Sequence, residues 1–352
     1  MIKVLQTLST PIQYDNRAKR TKMALQTLGE VKTLTIEDTS NNEDVATGKI
    51  ELFIKIFKAL FKNKYNFVYA EGLPPLVLSL LPCLITGTPL VYDSRELYLK
   101  DEKGKSTYTY KHRMVEWFCM LFVKHIVSAN DERVKYMQHY YGFNKHYTFV
   151  RNISELTPHL NLKNKNEIKK LVYQGELGRL RGIEKLLEAL PFLKTNCETI
   201  FIVPLREQDR LKAMIKVAGA EKAKITILDF MSPQDLQLYL EKCDLGYLAY
   251  ELHGPNNTFC EPNKLYEYGY AGLPMLTSPQ PLFQEIFREM KIGHLIRKDI
   301  WDNGTAEQFA SEVEIALSDT YPLADFKKFC ERYNFNTEKE RFLNYIRKNF
   351  VK

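Results

Sequence analysis

What most limits the fold of this chain is a repeated switch of period. Short apolar runs of strand length alternate with longer stretches of helical spacing. Lys3–Leu8, Val31–Ile36, Phe67–Tyr69, Leu90–Tyr92, His125–Ser128 and Thr148–Arg151 read as strands. Between them, Asn16–Leu28, Ile50–Phe61, Leu76–Ile85, Met114–Lys124 and Asp131–Tyr141 read as helices. Strands this short and apolar belong in a parallel sheet with helices on both faces. A lysine- and asparagine-rich stretch, Leu160–Lys170, reads as a linker. The alternation then resumes. Leu171–Tyr173, Thr199–Val203, Ile225–Leu228, Leu245–Leu248 and Met275–Thr277 are the strands. Ile183–Leu190, Arg206–Ala218, Pro233–Lys242 and Pro262–Ala271 are the helices. In 352 residues this predicts an α/β chain of two Rossmann-like domains, 1–160 and 168–334, with parallel sheets facing across a cleft. Ligands of such sheets bind outside the carboxyl ends of strands, so the site is expected in the loops that follow them.

Composition narrows the function classes. Hydrophobic residues at 45% and charged residues at 26% are those of a globular protein. The net charge of +7 is spread along the chain without a concentrated basic stripe, so nucleic acid is not an expected partner. The surplus suits anionic small molecules or an anionic membrane surface equally. The six cysteines form no CxxC pair and no zinc spacing, so no metal site is expected and the thiols read as reduced in a cytoplasmic protein. The opening MIKVLQTLST is too short and too soon polar for a signal peptide. The uncharged run between Glu71 and Asp93 has the length of a membrane span. Pro74, Pro75, Pro82 and Pro89 punctuate it, and it reads as a helix followed by a strand.

Two stretches carry chemistry. In CEPNKLYEYGYAGLPML, Pro262 suits the first position of a helix and Gly272 the residue just past its end. Lys264 then stands in the first turn, where the dipole disfavours a cation. Lys264 and Glu267 share a face in the poorer order for a helical ion pair. A phosphate at the helix N-terminus explains the lysine, with Glu261 and Asn263 beside it and Glu267 accepting bonds from hydroxyls of the same ligand. A surface ion pair on a solvated face fits the same pattern. In LVYQGELGRLRGIEKLLEAL, a strand, a turn and a helix, Gly175, Gly178 and Gly182 allow close backbone approach. Arg179 and Arg181 add charge that phosphate oxygens use. The spacing is neither GxGxxG nor a Walker loop, so a nicotinamide cofactor and a phosphate-loop ATPase lose support. An ordinary tight turn with exposed arginines fits it as well.

The first half offers further candidates. In TPIQYDNRAKR, Asp15 can cap the next helix, and Arg17, Lys19 and Arg20 make its first turns basic. They would face an acceptor or phosphates, or else form a solvated face. DSRELY ends a strand and offers Asp93, Arg95 and Glu96, to orient a sugar or to pair as ions. Lys49–Lys64 is basic and amphipathic, a pattern that suits either an anionic membrane surface or packing on the sheet. His112, His125, His139 and His146 have no metal spacing, and Trp117, Phe118 and Phe122 are expected in the core.

Together GELGRLRGIEKLLEAL, CDLGYLAY and EPNKLYEYGYAGLPMLTSP resemble the C-terminal domain of retaining GT-B glycosyltransferases, glycosyltransferase family four. DNRAKRTKMALQTLGEVKTLTI, PLVYDSRELY and VRNIS have looser counterparts, so the resemblance covers nearly the whole chain. It implies a nucleoside-diphosphate-sugar donor held by the C-terminal domain. It also implies a glycan or lipid-linked saccharide acceptor on the N-terminal domain, a last helix (335–352) that returns to that domain, and no metal or cofactor. The setting it implies is surface polysaccharide assembly, in the cytoplasm or at the inner face of its membrane. Gly175, Arg179, Arg181, Asn263, Lys264 and Glu267 would bind the donor, Arg181 in place of the family's phosphate-binding lysine and Glu267 on the ribose. Arg181, Lys264 and Glu261 would serve catalysis, with Asp15, Arg17, Asp93, Arg95 and Glu96 on the acceptor side. Three positions depart from the family pattern: Glu176 replaces an arginine, Phe259 a glutamate and Arg95 a frequent histidine. A GT-B epimerase or hydrolase, or a non-catalytic nucleotide-sugar binder, would share most of these features.

Overall fold

A computed structural model describes residues 1–37, 44–142, 144–153, 155–160, 167–178 and 180–351. The chain divides into two compact units. The first is Met1–Asn152 with Gly254–Asn256 and Asn336–Lys352; the second is Ile153–His253 with Asn257–Phe335. The division precedes the expected linker because Ile153 is buried in the second unit's core, with Leu156 and Leu160 packed against it. Residues 161–166 of that linker lie outside the described residues.

The strands of the first unit are β1 (Ile2–Thr7), β2 (Gly29–Ile36), β3 (Val45–Ala46), β4 (Phe67–Glu71), β5 (Leu90–Ser94), β6 (His125–Ser128) and β7 (His146–Phe149). Among the described residues they form one sheet, β3-β2-β1-β4-β5-β6-β7, parallel throughout. Every residue of β4 and β5 is buried, which is why both read as unbroken apolar runs. The helix Phe335–Phe350 places Phe342, Leu343 and Ile346 in the same core as Val4, Tyr69 and Val91. Gly254–Asn256 is tied in by Asn256, whose Oδ1 accepts from the Leu97 amide at 2.8 Å and from Arg133 at 3.0 Å.

The second unit holds β8 (Lys169–Gln174), β9 (Cys197–Ile202), β10 (Lys224–Leu228), β11 (Leu245–Leu248), β12 (Met275–Thr277) and β13 (Gly293–Leu295). Their order is β10-β9-β8-β11-β12-β13, again all parallel. Strand order reverses between β1 and β4 in one unit and between β8 and β11 in the other. Chain connections leave such a point in opposite directions and open a crevice at the carboxyl ends. β3 and β13 escaped the sequence reading because two or three residues at a sheet edge carry no period.

The helix Tyr110–Met120 replaces the expected Met114–Lys124 and is rotated relative to it. It turns Glu116, Cys119 and Met120 inward. Trp117, Phe118 and Phe122, expected in the core, are instead about half exposed. The cause is polar. The Glu116 carboxylate accepts from the Tyr92 hydroxyl at 2.8 Å and the Tyr141 hydroxyl at 2.6 Å, and this pins one helix face to the sheet. The helix Lys49–Lys62 buries Leu52, Ile56 and Leu60, so it packs on the sheet. The uncharged run becomes the helix Leu73–Thr86 and β5. Among the described residues no helix is long and apolar enough to cross a membrane.

Burial pushes the Glu116 carboxyl up to about 7 from 4.5, against the pull of the two phenols. The folded state therefore holds this proton over a range where the unfolded chain has released it. Its stabilisation is complete below about pH 4.5 and lost as pH rises through about 7. Glu116→Gln should flatten that dependence. Across this range the wild type's urea midpoints are expected to fall further than the variant's, by the equivalent of about 2–3 kcal/mol. Equal slopes would show that Glu116 is ionised in the fold.

Candidate active site

The β8/β11 switch point gathers the chemistry of the second unit. β8 ends in Tyr173 and Gln174, and the chain then turns at Gly175 with φ +119°. The Gly175 amide donates to the Ile202 carbonyl at 2.9 Å, which holds the turn to the end of β9. A Cβ at Gly175 would lie 3.1 Å from Lys264 Cε and 3.2 Å from its Nζ. Glycine is required there by both backbone and neighbour. Farther round the same loop, Leu180 has φ +69°, the one positive φ outside glycine among the described residues. Such a conformation is sparsely populated and tends to mark function. Gly182 follows with φ +61°, where a Cβ would stand 2.4 Å from the Trp301 ring.

Lys264 is the second residue of the helix Asn263–Tyr270, one residue shorter at each end than expected. Only 9% of it is exposed, and its Nζ lies 4.1 Å from the centroid of the Tyr173 ring. Arg181 stacks on Tyr250, with its Cζ 4.6 Å from that ring's centroid, and donates to the Tyr250 hydroxyl. Among the described residues neither cation has a carboxylate within ion-pair distance. Burial lowers the Lys264 amine well below its usual range, and Arg181 lowers it further, with Glu267 opposing. Two like charges thus converge where water is scarce, each resting on an aromatic face.

Glu267 lies one helical turn past Lys264, and Gln174 donates its side-chain amide to it. This orients the carboxylate at the mouth of β8. Gly175, Arg181, Lys264 and Glu267 are therefore brought together. Asn263 is exposed at the helix start. Arg179 lies outside the described residues. Glu261 is 3% exposed, and Tyr266, itself in the core, donates its hydroxyl to it. It is not among the charges that act on Lys264. Glu176 faces away, in an exposed ion pair with Arg206.

Sequence reasoning missed Tyr173, Gln174 and Tyr250. Each ends a strand or follows one directly, at the carboxyl edge to which the sheet topology already pointed.

In the first unit the acceptor-side candidates bind one another. Arg17 clamps Asp93 with Nε at 3.0 Å from Oδ2 and Nη2 at 2.9 Å from Oδ1. It also donates to the Val150 carbonyl at 2.7 Å. Tyr69 donates to Asp93 at 3.0 Å. Asp93 is wholly buried. Arg95 pairs with both Asp15 and Glu71. Asp15 also caps the helix Asn16–Gln26, accepting from the Ala18 amide at 2.9 Å. Burial pushes Glu71 up to about 7 against the pull of Arg95. Glu96 stands apart from this network, half-buried.

Residues 168–319 match the family model for glycosyl transferases group 1. No curated protein matches the chain in sequence. Several solved structures share its fold. HepE from Anabaena, in complex with UDP and glucose, is 16% identical with a TM-score of 0.69, covering 99% of this chain and 100% of its own. Sucrose-phosphate synthase from Thermosynechococcus elongatus gives a TM-score of 0.76 at 12% identity and covers 99% of both chains. The lipopolysaccharide outer core galactosyltransferase WaaB gives 0.69 at 13% identity, covering 98% of this chain and 99% of its own. The fold is GT-B, an α/β chain with two parallel-sheet domains, as in these structures. The residues that match the group 1 glycosyltransferase model lie in the second unit and include the β8/β11 crevice.

Gly175→Ala tests the closeness of Lys264 to the turn. Gly219 also has a positive φ, +66°, but nothing lies within 4 Å of a Cβ there. Gly219→Ala should cost about 1 kcal/mol of backbone strain. Gly175→Ala should cost roughly 2–3 kcal/mol, since a crowded core position adds to the strain. Denaturant unfolding of the two variants makes the comparison; equal losses would mean that Lys264 moves aside freely.

Proposed function

We propose that the chain is a retaining glycosyltransferase that moves a sugar from a nucleoside-diphosphate sugar to a glycan or lipid-linked saccharide, acting from the cytoplasm. The observation that carries this reading is the pair of cations, Arg181 and Lys264, set at one strand-end crevice with no carboxylate in ion-pair distance among the described residues. A diphosphate supplies the missing charge. Glu267, already oriented by Gln174, accepts from the ribose hydroxyls one helical turn away.

Sugar transfer breaks the bond between the anomeric carbon and the diphosphate oxygen, and negative charge grows on the departing diphosphate. Fixed cations stabilise that charge without reorganising. Arg181 and Lys264 have this role, so the reading assigns charge stabilisation to side chains and not to a metal. The anomeric carbon becomes oxocarbenium-like. An oxygen of the leaving phosphate takes the acceptor's proton, and the acceptor oxygen bonds to the same face of the sugar. No protein nucleophile enters, and Glu261 has no part in the step.

A thermal-shift screen with UDP, GDP, ADP and their sugars, followed by mass spectrometry of donor turnover, tests the reading. A new glycoside supports it. Free or epimerised sugar points to a hydrolase or epimerase, and binding without turnover points to a binding protein. Turnover should persist in EDTA. Glu267→Ala should weaken donor binding roughly 10- to 100-fold, since hydrogen bonds to a charged group are each worth about 1.5–3 kcal/mol. Its melting temperature should stay close to the wild type, and a variant that merely unfolds would return Glu267 to a structural role.

The depressed Lys264 amine yields a separate signature. A bound diphosphate favours the charged amine, so donor binding should take up a proton once pH exceeds the depressed value. Calorimetry in buffers of different ionisation enthalpy measures this uptake, which Lys264→Met should abolish. Proton-neutral binding at alkaline pH would contradict a buried, partly neutral lysine at the phosphate.

A further inference from the structure

The first unit carries an apolar surface that the sugar-transfer reading does not use. The helix Leu73–Thr86 has no charged residue. It buries Leu73, Leu76 and Cys83 on the sheet side, yet its outer face is apolar too, with Leu81, Leu84 and Ile85 each more than half exposed. A solvated surface helix places polar residues on that face. Beside it, the helix Tyr110–Met120 and the turn after it present Trp117, Phe118 and Phe122, exposed by 50%, 54% and 47%. Between the two helices lies a groove of about 530 Å³ with an apolar lining. Continuous apolar surface on this scale marks a docking site.

The charges around it indicate what docks. The helix Leu73–Thr86 has no carboxylate, and the helix Tyr110–Met120 has only Glu116, buried under two phenols. Lys111 and Lys124 stand exposed at the two ends of the second helix and its turn. On the other side the helix Lys49–Lys62 packs against Leu73–Thr86 and exposes Lys58, Lys62 and the apolar Phe61. Its one acid, Glu51, is held by Thr47 and Lys55. An apolar centre with amine flanks and no free acid on its three helices is mismatched to a second copy of itself, since a two-fold contact would set amine against amine. It matches a bilayer, in which acyl chains receive the centre and anionic headgroups meet the lysines.

We propose that the face formed by the helices Leu73–Thr86 and Tyr110–Met120 docks the chain peripherally on an anionic lipid bilayer, with Trp117, Phe118 and Leu81 entering the acyl boundary. This does not rest on the sugar-transfer reading, and its test uses no nucleotide sugar.

The chain has two tryptophans, and the other, Trp301, is 1% exposed, so Trp117 is a built-in reporter. The full chain is titrated with vesicles of phosphatidylcholine alone or with added phosphatidylglycerol. Trp117 emission should shift to the blue with the anionic vesicles, and acyl-brominated lipid should quench it. Co-sedimentation should be at least tenfold stronger with the anionic vesicles and should weaken with salt. Phe118→Glu and, on the other helix, Leu84→Glu should each lower it at least tenfold at unchanged melting temperature, and Trp117→Phe should remove the spectral shift while largely keeping the binding. Absence of binding to anionic vesicles at low salt overturns the proposal. So does a dimer in light scattering that Phe118→Glu converts to monomer, because a second copy would then cover the face.

Discussion

Lys264 is a buried amine whose neighbours are a tyrosine ring, a glycine and another cation. Taking an ammonium out of water costs several kcal/mol unless an opposite charge or hydrogen bonds replace the lost hydration. Here the ring of Tyr173 and the more distant Glu267 offset only part of that cost. The surroundings nevertheless hold the amine in place. Tyr173 is fixed by its own hydroxyl, which donates to the Glu176 carbonyl at 2.6 Å. Gly175 leaves room for the lysine stem at a backbone conformation only glycine adopts with ease. Gln174 turns Glu267 toward the same opening. The sheet topology, the glycine turn and the short helix bring these groups together at one strand-end opening.

The first unit shows the opposite outcome with the same residue types. Asp15, Glu71 and Asp93 meet Arg17 and Arg95 at strand ends, and every cation there has its carboxylate. Such a cluster is a framework. Arg17 alone reaches Asp93 near the end of β5 and the Val150 carbonyl just past β7, so one guanidinium ties two strand ends together. Arg95 stands where the resembled family often has a histidine, and its charge is met by acids of its own unit. The difference between the two units lies in the ratio of charges: three acids to two arginines in one, and in the other two cations with no carboxylate within ion-pair distance among the described residues.

Much of this was legible in the residues. Alternating periods foretold the parallel sheets, since strands buried on both faces write themselves as apolar runs. Pro262 and Gly272 foretold the helix to within one residue at its start. What stayed hidden was non-local. That Gly254–Asn256 joins the first unit depends on Asn256 meeting Arg133 and Leu97, far away in sequence. That Glu261 turns inward depends on Tyr266 being in the core. Spacing shows which residues share a helix face and not which face meets the sheet.

Glu116 makes that distinction concrete. In TYKHRMVEWFCMLFVK the aromatic residues look like the obvious core and the glutamate like the obvious surface. Tyr92 on β5 and Tyr141 beyond β6 reverse the choice, because each buried phenol needs an acceptor and one carboxylate serves both. Once Glu116 is inside, the geometry of a helix leaves Trp117 and Phe118 no route to the core. A single buried polar triad thus decides which side chains the first unit displays. A chain that only had to fold would gain by burying the tryptophan and exposing the acid. That it does the reverse, beside a neighbouring helix with no charge at all, makes the displayed apolar face a product of this polar constraint and not of imperfect packing.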